Sequence, residues 1–76
     1  MEKDVLNRLT EETVYEADKL NKLNAFMKTD KFIRLPREKK DLLYEQQRVM
    51  SRFVQILGRR VELENAKEEI IGKIKQ

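Results

Sequence analysis

The chain has no cysteine and no histidine, so disulfide staples, Cys/His zinc sites, a cysteine nucleophile and imidazole acid–base catalysis lie outside its side-chain inventory. A catalyst built from it would have to use carboxylates, lysine, tyrosine or serine, and these show no isolated carboxylate pair and no glycine-rich phosphate loop. An enzyme is therefore not expected, and no cofactor or metal is implied. Tryptophan is absent, proline occurs once (Pro36) and glycine twice (Gly58, Gly72), which leaves few positions where a helix must stop. No run approaches the ~18 consecutive apolar residues of a membrane span, and the opening MEKDVLNRL is acidic and amphipathic rather than a basic leader before an apolar core. A soluble intracellular protein with no membrane partner is expected.

What is present is charge and helical periodicity. Of 76 residues, 41% are charged and 39% hydrophobic, the profile of a single helix-rich domain near the lower size limit for a self-sufficient core. The formal net charge of +3 is unevenly spread. Residues 34–60 hold eight basic groups against Glu38, Asp41 and Glu45, a net of +5, while the segments on either side are each at −1. An anionic partner should meet the middle of the chain.

Leu6, Leu9, Leu20, Leu23 and Met27 recur at helical spacing, with Val5, Val14, Ala17 and Phe26 beside them. Thr13 and Glu16 stand where that seam would continue, so the first half of this helix should pack less well or meet something polar. The stretch Thr29-Asp30-Lys31-Phe32-Ile33-Arg34-Leu35-Pro36 breaks the pattern. Here Asp30 is expected to cap a short turn, Phe32 and Leu35 to tuck beneath it, and Pro36 to occupy the first position of the next helix, with Glu38 favourable in its first turn. Leu42, Val49, Ile56, Leu63 and Ile70 then recur every seven residues, and Leu43, Met50, Leu57 and Ile71 form a second row one position along, interrupted by Glu64. Two adjacent rows make a face wider than one partner helix covers. Gly58 reads as a close-approach point for another backbone or a mild kink.

The reading is all-α: one domain, residues 1–76, folded as an antiparallel helical hairpin and assembled into an oligomeric helix bundle. Helix 1 covers about residues 3–28, the connector 29–35, and a long helix 2 about 36–74. Counting back from the connector puts Lys22 level with Leu42 to Tyr44, Tyr15 with Val49 and Val5 with Arg59. Past about Glu62, helix 2 then lacks an intrachain partner although Leu63, Ile70, Ile71 and Ile74 are apolar. A second protomer, or a fold back near Asn65, should cover them; a homo-oligomer, dimer or higher, is expected.

The candidate site residues are Lys22, Tyr44, Gln47, Arg48, Arg52 and Arg60. The strip Asp41, Glu45, Arg48, Arg52, Gln55, Arg59 and Glu62 lies away from the apolar rows; it is either a solvated face with Glu45 paired to Arg48 or Arg52 and Arg59 to Glu62, or a phosphate-binding surface using the forked donors of arginine. Tyr44, Gln47 and Arg48 share one side of a turn at i, i+3 and i+4. They suit stacking on a base, reading a base edge and holding a phosphate, or alternatively Tyr44 and Gln47 line the hairpin seam with Gln47 bonded to backbone or to Lys22. Lys22 and Arg60 serve as ligand contacts or as partners of local carboxylates. Duplex nucleic acid is not expected, because helix-turn-helix spacing, zinc fingers and a continuous basic region are all missing.

The stretch DKLNKLNAF at Asp18–Phe26, Phe32 with Leu35-Pro36, and then Leu43, Gln47, Met50, Phe53, Leu57 and Arg60 resemble a family of very short phage and prophage proteins related to crAss-like phages, whose pattern runs K-L-x-A-F, F-x-x-L-P, then L-L-x-x-x-Q-x-x-M. The likeness spans about residues 14–63 without a gap. Phe53 departs from it, standing where an aromatic hydroxyl is usual. In layout the chain looks like the helical-hairpin nucleotide sponges that phages use against CBASS and Thoeris immunity, oligomers that sequester cyclic nucleotide signals; this is a likeness of architecture, without their ligand residues. The likeness suggests a phage-encoded, non-enzymatic counter-defence protein in the host cytoplasm that binds a small anionic nucleotide between protomers; the residues themselves, not the likeness, suggest Arg48, Arg52 and Arg60 for its phosphates and Tyr44 for stacking on a base. The alternative is a protein-interaction module that inhibits or remodels a host or phage protein through helix 2.

Overall fold

A computed structural model of the chain describes the backbone of residues 2–75 and the side chains of residues 4–67. Three helices follow one another: α1 (Glu2–Phe26), α2 (Asp30–Ile33) and α3 (Arg37–Lys75). The described residues are almost all helical, and α1 and α3 pack side by side. The molecule measures 60 × 16 × 14 Å, and a 39-residue helix alone spans about 58 Å, so α3 sets its length. Among the described residues no helix is long and apolar enough to cross a membrane.

The seam follows the second of the two apolar rows. Leu43, Met50 and Leu57 of α3, with Gln47 and Val54 between them and Val61 beyond, are buried or half-buried, against Leu6, Leu9, Thr13, Ala17, Leu20 and Leu23 of α1. Leu57 is fully buried and Leu9 nearly so. The first row points elsewhere: Leu42, Val49 and Leu63 remain 65%, 65% and 70% exposed. Thr13 is accommodated at the seam because its hydroxyl donates to the Leu9 carbonyl at 2.7 Å, satisfying the group within its own helix. Glu16 pairs with Lys19 at 3.7 Å.

The reversal is built on Phe32. It is 3% exposed and packs edge-on against Phe26 (centroids 6.1 Å) and Tyr44 (5.4 Å), a geometry favoured by the ring quadrupoles. Thr29, not Asp30, caps α2. Its hydroxyl accepts from the Phe32 amide at 3.3 Å and donates to the Phe26 carbonyl at 2.6 Å; a hydroxyl joins the end of α1 to the start of α2 in a way that an acceptor-only carboxylate cannot. Pro36 stands one place before α3, where its carbonyl accepts the first helical bond from Lys40 at 3.1 Å. The Lys40 ammonium also donates to the Ile33 carbonyl at 3.3 Å, tying α2 to α3.

The counted register is corrected by one contact. Gln47 Nε2 donates to Asn24 Oδ1 at 2.5 Å, so Asn24 lies level with Gln47 rather than near Lys40, a slide of about 10 Å along α3. The cause is α2, which occupies the level of the first two turns of α3 and pushes the end of α1 further along. By the same count Asp4 lies near the level of Lys67, so α1 reaches past Leu63. Leu63 is exposed because of the direction it faces, not because α1 has ended. The helix continues through Gly58 and Asn65 with no fold back, and a Cβ placed on Gly58 would meet nothing within 4 Å, so no backbone of the same protomer approaches there. Ile70, Ile71 and Ile74 lie outside the residues whose side chains are described.

Candidate functional site

Along one side of the α1–α3 seam runs a groove of about 340 Å³ lined by Leu20, Asn24, Gln47, Arg48, Ser51, Arg52 and Gln55. The helical repeat explains the lining: Gln47, Ser51 and Gln55 are four residues apart and form one edge of α3, while Arg48 and Arg52 follow one place round. From α1, Leu20 and Asn24 at i and i+4 supply the opposite wall. The Asn24–Gln47 bond fixes the groove floor. It uses one Asn24 lone-pair site and one Gln47 donor, leaving the Asn24 amide hydrogens and the Gln47 carbonyl available to another molecule.

Charge in the groove is of one sign. Among the described residues neither Arg48 nor Arg52 forms an ion pair; the pairs that do form are elsewhere, such as Lys22–Asp18 at 3.2 Å and Arg37–Asp41 at 4.0 Å. The alternative pairing of Glu45 with Arg48 or Arg52 is therefore not made, nor is that of Arg59 with Glu62. Arg52 Nη1 instead reaches Gln55 Oε1 at 3.5 Å, a long contact that leaves most guanidinium donors free. Two neighbouring guanidiniums, amide donors and a serine hydroxyl suit an oxyanion attached to a small polar body.

Of the six candidate residues, the structure brings Gln47, Arg48 and Arg52 together in this groove. Tyr44 lies one turn away, half-exposed and held against Phe32, outside the lining. Lys22 projects into solvent and pairs with Asp18. Arg60 is exposed two turns beyond Arg52, also outside the lining. Leu20, Asn24 and Ser51 were not singled out from sequence as site residues. Asn24 carried a signal, an amide four residues after Leu20 and next to Leu23 at the seam, and Ser51 is reached by stepping four residues from Gln47.

No curated protein and no solved structure matches the chain. A sequence model of one family, Sequestin, matches residues 3–63, which takes in most of α1, the whole of α2, and α3 as far as Leu63, and so every residue of the groove. With most of its length matched, the chain belongs to the Sequestin family.

Proposed function

We propose that the protein sequesters a small phosphorylated nucleotide by binding it, without turnover, in the groove between α1 and α3. The observation that carries this reading is the convergence of Arg48 and Arg52, neither of them ion-paired, with Gln47, Asn24, Ser51 and Gln55 around one recess. Arginine forks hold phosphate oxygens, and the amides beside them match the edges of a base or the hydroxyls of a ribose. The recess volume is at the lower end of the ~300–1,000 Å³ of small-molecule sites, which favours one nucleotide unit per protomer, a larger cyclic signal being shared between protomers of a homo-oligomer.

The family name supports sequestration as the activity. Likeness to short phage proteins and to nucleotide sponges supports a counter-defence role in the host cytoplasm. The absence of cysteine and histidine supports capture over chemistry. Tyr44 and Arg60 remain part of the proposal as outer contacts for a ligand larger than the groove, and Lys22 as a rim charge.

The experiment is a thermal-shift screen against cyclic di- and trinucleotides and ADP-ribose derivatives, because a ligand at 100 times its Kd adds about 2.7 kcal/mol of stability. A shift with at least one of them, reduced in Arg48→Ala and Arg52→Ala, is expected. The second reading, an interaction module acting through the exposed row of α3, is favoured by the bare Leu42, Val49 and Leu63. No shift with any nucleotide, together with a monomeric protein, would select it.

A further inference from the structure

The middle of α3 presents three neighbouring rows of different chemistry. Gln47, Ser51 and Gln55 form a polar row, Arg48 and Arg52 a cationic row, and Val49 and Phe53 an apolar row completed by Ile56; residues four apart face the same way. The cationic row stands between the other two, each about 100° away round the helix. On one side of it lies the groove against α1. On the other, in the outer apolar stripe that α1 leaves bare, lies a shallow recess of about 390 Å³ lined by Arg48, Val49, Arg52, Phe53 and Ile56. The same two guanidiniums border both, and no carboxylate lines either.

Phe53 is the side chain that sets the recess apart. It is partly exposed, and among the described residues its ring packs on no other ring, whereas Tyr44 is already held edge-on by Phe32. A flat body laid on Phe53 touches Val49 and Ile56 at its edges and the arginine planes at its rim, surroundings that suit the face of a nucleobase. The groove offers the opposite chemistry. Its free Asn24 amide hydrogens, Gln47 carbonyl and Ser51 hydroxyl are partners for hydroxyl groups. A protein surface closing over the recess alone would take two unpaired guanidiniums out of water, while an anionic ligand brings their counter-charge.

We infer that the ligand is a nucleoside diphosphate carrying a second sugar, with its base on Phe53, its pyrophosphate across Arg48 and Arg52, and the second sugar in the groove. Bodies on both sides of the arginines require a phosphate group that is substituted twice. A single phosphodiester in that place carries one negative charge for two guanidiniums, whereas a doubly substituted pyrophosphate carries two. The inference rests on the nucleotide reading above and narrows it: the base goes to Phe53 rather than Tyr44, and the groove amides read hydroxyls rather than a base edge.

The chain has no tryptophan, so Phe53→Trp installs a single fluorophore in the recess. ADP-ribose quenches it, while inorganic pyrophosphate and ribose 5-phosphate, which lack a base, do not. By calorimetry the original chain binds ADP-ribose more tightly than ADP, and ADP more tightly than pyrophosphate. Phe53→Leu weakens ADP-ribose binding about five- to a hundredfold, and Phe53→Tyr, which keeps the ring, retains most of the affinity. Ser51→Val fills part of the groove and reduces the preference for ADP-ribose over ADP. Nucleotide binding that depends on Arg48 and Arg52 but is indifferent to Phe53→Leu overturns the inference and leaves sequestration standing, as does binding of cyclic dinucleotides alone. Emission from Phe53→Trp that responds to protein concentration and not to ADP-ribose puts a second copy on the recess and overturns it too. No binding of any nucleotide refutes both readings together.

Discussion

Leu57 and Leu63 are the same side chain on the same helix in opposite circumstances, which makes truncation of each a sharp test of the hairpin. Leu57 is 0% exposed at the seam; Leu63 is 70% exposed on the outer stripe. Leu57→Ala removes three buried carbon groups, about 2.4 kcal/mol at ~0.8 kcal/mol each, and adds a cavity term, so a loss of about 3 kcal/mol is expected within the ~2–5 kcal/mol range of buried leucine truncations. A single core of this size supplies only ~3–5 kcal/mol in total. The variant should therefore melt about 10–25 °C lower, given ~4–8 °C per kcal/mol for a domain this small, and be partly unfolded near 37 °C. Leu63→Ala should change protomer stability by less than about 1 kcal/mol but, under the proposed assembly, reduce the dependence of melting on protein concentration. The assay is urea and thermal unfolding followed by circular dichroism at two protein concentrations. Leu57→Ala within 0.5 kcal/mol of the original chain, or Leu63→Ala as damaging as Leu57→Ala at the lower concentration, would refute the assignment of the two rows.

Three smaller predictions follow from local geometry. Gly58→Ala meets open space and should stabilise the helix by about 0.8–1 kcal/mol in thermal unfolding; destabilisation would mean that another backbone approaches there. Asn24→Ala leaves the half-buried Gln47 amide without its partner and should cost about 1–2 kcal/mol, whereas Asn24→Leu with Gln47→Leu should recover most of it; a failure to recover in the double-mutant cycle contradicts the register. Thr29→Ala removes both bonds of the cap hydroxyl and should cost about 1 kcal/mol, while Thr29→Ser, which keeps the hydroxyl, should cost much less by the same unfolding measurement.

Both apolar rows of α3 were legible in the sequence because a seven-residue spacing of Leu, Val, Ile and Met admits few other causes. Which row faces α1 was not, since the two differ little in hydrophobicity and lie one residue apart. The slide of α1 along α3 was hidden for a different reason: Thr29 to Ile33 forms its own helical turn on Phe32, and connector length alone does not reveal how much axial room a folded connector occupies. Gln47 was recognised as an interior amide, but its partner is Asn24 rather than Lys22, because the slide brings Asn24 to its level. The groove was half legible. Spacing on α3 groups Gln47, Arg48 and Arg52, while the wall supplied by Leu20 and Asn24 depends on the inter-helix register, which local patterns do not encode.

The central claim is that Arg48 and Arg52 hold a phosphorylated ligand in the α1–α3 groove, and calorimetric titration tests it directly. The original chain, Arg48→Ala and Arg52→Ala are each titrated with the nucleotide that raises the melting temperature most. Loss of one charge-assisted hydrogen bond is worth roughly 1.5–3 kcal/mol, so each variant should bind about ten- to a hundredfold more weakly while its own unfolding shifts by less than about 0.5 kcal/mol. Equal affinity in all three proteins would contradict the assignment of these arginines to the site.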